Sequence, residues 1–287
     1  MQILQSGNPG EPSWQDQYAI STFTFRNTGL LEALRKIAAS GFKWIEISSS
    51  EFHLDPRRNP DVPAARNALR QMDLHVHALH TPFIGLKLGH PNRALKQEWL
   101  RVVGASLEIG VEIGAPLAVI HVTDDAQELT DEMYEASRQI VIEYIAELQI
   151  RAQALGIRLA LENMVKSPNL RRRFGMTLAE LSRAFPDPEI AFCLDTGHAM
   201  TNRLDLATEI RAAGKRLMTT HINSNDGVDD LHWLPTRGVL DWQKIKHLLM
   251  QSGYAGRYLL EVKGDADPDA ILTQAVAFAR ADRENNT

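Results

Sequence analysis

Six residues whose side chains can bind a metal or move a proton each close a short apolar run: His80, His121, Glu162, Asp195, His221 and Glu261. Side chains alternate across a strand, so parity separates its two faces. In 157–162 the large apolar Ile157, Leu159 and Leu161 share one face, and Glu162 takes the other. In 190–195, Ile190, Phe192 and Leu194 leave Asp195 on the opposite face. The runs 217–221, 258–261, 119–121 and 76–80 end in the same manner on His221, Glu261, His121 and His80. A lone inward histidine is more often a hydrogen-bonded core residue, and a lone strand-end carboxylate more often caps the next helix. Three carboxylates and three histidines converging on one place are another matter, because ionised carboxylates are costly to bury without a cation or partner. A divalent metal balances them directly, imidazole and carboxylate being its usual ligands.

Three further residues extend the set. His198 follows Asp195 by three residues, just into the loop. Asp230 and His232, two apart, can face one way from an extended segment. By itself that stretch reads as a solvated turn, since Asn225-Asp226-Gly227 is a turn signal. With His221 just upstream, the ligand reading is the better one.

The elements that must position these residues follow from one repeated pattern: an apolar run, a polar loop, then an amphipathic helix. The apolar runs are 19–25, 42–48, 74–80, 116–122, 157–163, 190–195, 217–222 and 258–262. Helical periodicity fills 30–39, 63–72, 93–113, 131–155, 178–185, 206–213, 242–251 and 269–281. Gly41, Gly114, Gly156, Gly214 and Gly253 fall where helices should stop. Alternating strands and helices imply a parallel sheet with helical crossovers, and eight units match the (β/α)8 TIM barrel of the α/β class. A doubly wound open sheet is the rival, but no G-x-G-x-x-G follows any run. Barrel function sits at the C-terminal strand ends, where the six residues lie. The expected organisation is an extension over residues 1–18 and one barrel domain over 19–287.

Composition narrows the function. The 287 residues are 44% hydrophobic and 23% charged, which excludes disordered, collagen-like and coiled-coil classes. With 31 basic against 36 acidic side chains the net charge is −5, so binding to nucleic acid is not expected. Cys193 is the lone cysteine, which excludes an internal disulfide and suits a reducing compartment. The first residues lack the basic and apolar regions of a signal peptide, and no run approaches the roughly 20 apolar residues of a membrane span. A soluble, cytoplasmic protein is expected, with no membrane partner and room for a homo-oligomer.

The motifs H-T-P-F (80–83), I-H-V (120–122), L-E-N (161–163), L-D-T-G-H (194–198), H-I-N-S-N-D-G-x-D-D-x-H (221–232) and L-E-V-K (260–263) together resemble the xylose isomerase-like barrel superfamily. That group contains sugar isomerases, sugar 3-epimerases, inosose dehydratases and apurinic endonucleases of the endonuclease IV type. The resemblance spans nearly the whole chain from residue 19, in the expected order. For the sugar-acting members it implies one metal held by Glu162, Asp195, His221 and Glu261, with Glu162 and Glu261 also moving the proton. For the endonucleases it implies three zinc ions on those four plus His80, His121, His198, Asp230 and His232. Two departures concern the rim: the usual Gly-x-Gly after Asp-x-His keeps only its second glycine, Gly238, and a common aspartate is replaced by Ser224.

The leading expectation is a metal-dependent isomerase or epimerase acting on a small-molecule sugar, sugar phosphate or polyol through an enediolate. The cofactor is a divalent ion; mixed nitrogen and oxygen ligands admit Mn, Mg, Co, Fe or Zn. His198, His80, Glu46, Lys263 and Arg171 are the candidates for contacting substrate. For Glu46 an ion pair with Arg158 is the competing reading. Arg57-Arg58, Lys166 and Arg171-Arg172-Arg173 suggest an anionic substrate, although charge runs are usually solvated surface. A multi-zinc phosphodiesterase is the alternative, and a barrel subunit that works only within a sugar-processing complex is a third. Smaller features take plainer readings: Cys193 as an interior residue, His75 and His77 facing helices or the barrel base, Trp233 stacking on sugar or closing its loop.

Overall fold

Eight parallel strands pair in sequence order and close on themselves. They are β1 (Tyr18–Ser21), β2 (Trp44–Ser48), β3 (His75–His80), β4 (Leu117–Ile120), β5 (Arg158–Glu162), β6 (Ala191–Asp195), β7 (Leu217–Ile222) and β8 (Tyr258–Leu260). The pairing of Tyr18 with Tyr258 between β1 and β8 completes the ring. The computed structural model describes residues 13–90, 92–123, 131–166, 173–264 and 266–284. The (β/α)8 architecture expected from the periodicity is therefore present.

The helices are α1 (Trp14–Gln17), α2 (Leu30–Ser40), α3 (Val62–Gln71), α4 (Ala94–Glu112), α5 (Tyr134–Leu155), α6 (Leu178–Ala184), α7 (Thr196–Thr201), α8 (Leu206–Ala213), α9 (Trp242–Gln251) and α10 (Pro268–Glu284). Their apolar residues recur at helical spacing; in α2 the buried face is Leu30, Ala33, Leu34 and Ile37. Asp61, Thr177, Asp205 and Asp241 start α3, α6, α8 and α9 by accepting a backbone N–H three residues on, which satisfies a donor the helix leaves open. Gly41 and Gly156 end α2 and α5 in the left-handed conformation.

Two cores result. Outward strand residues such as Ile157, Leu159, Leu161, Phe192 and Leu194 pack against the helices. Inside the barrel, Ala78, Leu117, Val119, Ala160, Ala191 and Cys193 form a separate cluster. The parity assigned to β5 and β6 is thus the observed one, and it carries Glu162 and Asp195 to the inner face. Burial pushes the Cys193 thiol up, so it stays protonated and acts as an interior residue.

Several boundaries differ from the sequence expectation. β1 stops at Ser21 because the Ser21 hydroxyl accepts the Phe23 N–H and starts a tight turn over Thr22–Phe25. β4 and β8 end at Ile120 and Leu260, leaving His121 and Glu261 one residue beyond their strands. Residues 196–201 are not loop: Asp195 caps them into α7, its Oδ1 accepting the His198 N–H at 2.7 Å. A register shift at Ile45/Glu46 accompanies His77 entering the barrel, where it bonds the Thr219 hydroxyl at 3.1 Å. His75 is exposed against Trp44, with ring centres 4.7 Å apart. Before β1, Trp14 of α1 packs edge-on against Phe42. Among the described residues no helix is long and apolar enough to cross a membrane.

Candidate metal centre

Glu162 is the hub of the barrel mouth. Its Oε1 lies 3.0 Å from His221 Nδ1 and 3.4 Å from His198 Nδ1. Its Oε2 lies 3.3 and 3.1 Å from the Nε2 atoms of His80 and His121, without a well-aligned hydrogen bond. Among the described residues four groups, three of them sharing members, place one ligating atom per residue within 4.8 Å of the others. They are Glu162, Asp195, His221 and Glu261; His80, His121 and Glu162; His80, His221 and Glu261; and His198, Asp230 and His232. All nine residues singled out as ligand candidates therefore converge.

The backbone that presents them is tightly interlocked. Asn163 holds Asp195 from the neighbouring strand through both backbone groups, at 2.7 and 3.0 Å, and its own carbonyl meets His198 Nδ1 at 2.8 Å. Asn223 donates to Asp195 Oδ2 at 2.8 Å. A Cβ on Gly197 would come within 1.9 Å of Asn223 Oδ1, so a side chain there would break the contact that orients Asp195.

The electrostatics fit a missing cation. Burial disfavours the Glu162 charge, yet His221 and His121 hold its carboxyl well below the usual carboxylate range. Burial likewise opposes the Asp230 charge, and His232 and His198 outweigh it. In reciprocal fashion, burial would lower His221 and His198, but the surrounding acids raise both well above the histidine range. His232 is raised to about 9, Asp230 overcoming the effect of burial. Without metal, protons on the histidines thus occupy the role of the cation. Buried Asp230 Oδ1 has no hydrogen-bond partner, and with Glu162 Oε2 it gives two buried carboxylate oxygens open to a metal. The donor set fits a divalent ion.

The centre opens into a cavity holding about 580 Å³ of empty space, its open mouth included. Phe23, Arg26, Ser48, Ser49, Ser50, Phe83 and Ile84 complete its lining beside the ligand candidates. Phe83 stacks on His121 at 4.2 Å between centres, and Phe23 lies 5.1 Å from the His232 ring. The sequence does not single these residues out. Phe83 stands in the H-T-P-F motif; Phe23 gives no signal, because the apolar run 19–25 extends through the turn that aims it.

Other expectations are corrected. Glu46 meets His221 Nε2 at 3.0 Å, is fully buried and does not line the cavity. Arg158, its supposed partner, instead donates to the Glu189 and Pro188 carbonyls. Lys263 does not line the cavity either. Arg171 and Arg172 lie outside the described residues. Arg173 is buried and spent on Thr123 and the Val165 carbonyl, so it offers no charge to a substrate. Arg57 and Arg58 pair with Asp55 and Glu51. Trp233 closes its loop by pairing with the Ser224 backbone and lies beneath the Arg237 guanidinium. Ser224, at the departure from the family pattern, accepts the Leu240 N–H and faces away from the cavity.

A family model described as xylose isomerase-like TIM barrel matches residues 34–282. An uncharacterized protein of Methanocaldococcus jannaschii is 24% identical over 264 residues, covering 88% of this chain and 85% of its own length. A D-tagatose 3-epimerase-like protein superposes with a TM-score of 0.79 at 21% identity, over 94% of this chain and 98% of its own. An AP endonuclease, family 2, from Brucella melitensis gives 0.73 at 20% identity, over 92% and 99%. At such identities these structures establish the fold.

Proposed function

The chain belongs to the xylose isomerase-like TIM barrel family, and on that premise we propose that it is a divalent-metal-dependent sugar epimerase or isomerase, built as one barrel domain over residues 19–287. The observation that carries this reading is the buried convergence of Glu162, Asp195, His221 and Glu261 at the C-terminal mouth of the barrel. These four would hold the metal, which when bound would polarise a sugar carbonyl and the adjacent hydroxyl. Glu162 and Glu261 would take and return the proton at the carbon next to that carbonyl, each from its own side. Burial, with Glu162 and Glu46 nearby, raises the Glu261 carboxyl even against His221 and His232. His198 would hydrogen-bond the substrate, held in place by the Asn163 carbonyl. Phe23 and Phe83 would cover the apolar edge of the sugar and exclude water. His80, with Phe83 against its ring, would border the same space.

A second reading draws on a separate observation. The three groups around Glu162, Glu261 and Asp230 together offer places for more than one ion, as a multi-zinc phosphodiesterase would need. Against it, Arg57 and Arg58 are held by Asp55 and Glu51 instead of being free to grip a nucleic acid backbone.

Elemental analysis of protein purified without added metal separates the readings. About one equivalent of Mn, Co or Mg is expected, followed by solvent-deuterium incorporation into ketoses, inososes or their phosphates. Two to three tightly held zinc ions with cleavage of abasic-site DNA would overturn the sugar reading. Metal retained without turnover of either substrate would point to a barrel subunit needing its partner.

A further inference from the structure

The fully buried Glu46 has no place in the chemistry above, and it belongs to none of the metal-holding groups. Its carboxylate meets one edge of the His221 ring, Oε2 standing 3.0 Å from Nε2, with the Ser21 side chain beside it. The other ring nitrogen of His221 faces all the remaining acids of the four-residue group. Nδ1 lies 3.0 Å from Glu162 Oε1, 3.3 Å from Glu261 Oε2 and 3.8 Å from Asp195 Oδ2. A neutral imidazole carries one donor and one acceptor nitrogen, and which is which follows from the partner each meets. An ionised carboxylate only accepts. The edge that meets Glu46 must therefore carry a hydrogen; Nδ1, which meets Glu162 in the same way, carries one too until a cation takes its place among the acids.

We infer that Glu46 is a positioning residue, fixing His221 in the Nε2–H tautomer so that Nδ1 is presented as the metal ligand. This rests on the proposed function for the presence of the metal, and on the geometry for which ring nitrogen faces the other ligand candidates. Packing does not account for Glu46. It is fully buried, where an apolar side chain would carry no desolvation cost. β2 and β7 are separated in the ring by β1 and β8, and closure of the barrel brings the carboxylate to the back of the ligand histidine.

The test is Glu46→Gln, which keeps side-chain size and an accepting oxygen but removes the charge. Metal affinity, measured by competition with a chromophoric chelator, should weaken about 10- to 100-fold, while the circular dichroism and melting temperature of the metal-free protein stay close to the unsubstituted values. Glu46→Leu should lose more affinity, so the glutamine variant counts as partial rescue. Nitrogen-15 spectra of histidine-labelled, zinc-loaded protein, assigned with His221→Asn, should show His221 with its hydrogen on Nε2 in the unsubstituted chain and a mixture of forms in Glu46→Gln. Unchanged affinity together with an unchanged tautomer would overturn the inference. Absence of any metal binding by the unsubstituted protein would instead overturn the proposed function, on which the inference rests.

Discussion

Two buried acidic centres in this barrel are built on opposite principles. Outside the strands, between β1, α9 and α10, Asp282 accepts hydrogen bonds from Tyr18 Oη at 2.7 Å, Trp242 Nε1 at 2.8 Å and Gln243 Nε2 at 2.9 Å. The Lys246 ammonium supplies a fourth donor and a full opposite charge. At the mouth, the ion-pair partners of Glu162, Asp195, Glu261, Asp230 and Glu46 among the described residues are all histidines, whose charge depends on bound protons. A buried carboxylate satisfied by its own chain is structure; one balanced by exchangeable protons is a site. The contrast matters because both centres look alike by burial and by residue type alone.

The sharpest way to break this comparison is to neutralise one acid in each centre. Glu162→Gln or Glu261→Gln should reduce turnover by about 10²- to 10⁴-fold while the protein remains folded, as kinetics and circular dichroism would show. Full activity in either variant would remove the proton-transfer roles. Asp282→Asn should do the reverse, costing about 3–5 kcal/mol in urea unfolding and leaving metal affinity unchanged. A loss of metal binding there would mean that the two centres are coupled.

Buried histidines permit the same comparison by pH. His53 lies apart from the acids, bonded to the Thr22 hydroxyl and the Thr28 carbonyl, and burial lowers its pKa to about 4. The folded state then binds fewer protons than the unfolded one between about pH 6.5 and 4. Stability contributed by neutral His53 is present above that window and lost as pH falls through it, by at most about 3 kcal/mol. The stability advantage of the unsubstituted protein over His53→Gln should shrink accordingly, and a constant difference would contradict the assignment. Last, saturating Mn or Zn should stabilise the protein by about 2.7 kcal/mol at a hundredfold excess over the dissociation constant. Calorimetry should show the gain reversed by chelator and absent when Glu162 and Asp195 are both replaced.

Much of the site was legible because strand parity is a local property. Glu162 and Asp195 could be aimed inward from the alternation of their own strands, and His80, His121, His221 and Glu261 from the ends of theirs. The Asp-x-His pair 230/232 was readable only through its proximity to His221. Phe23 was not readable, because a side-chain bond from Ser21 to the Phe23 N–H ends β1 early and redirects the chain. Arg173 was misread because charge in a loop says nothing about whether three backbone and side-chain acceptors wait nearby.

Sequence alone determined the α/β barrel, the inward face of each ligand-bearing strand and the mixed imidazole–carboxylate character of the mouth. Each depends on spacing within one segment, at a period of 2 or 3.6, which a single chain displays directly. Tertiary structure decided who meets whom: Glu162 at the hub of four histidines, and Glu46 behind His221 rather than beside Arg158. Those partners are up to 175 residues apart, and only closure of the ring sets the distances between them.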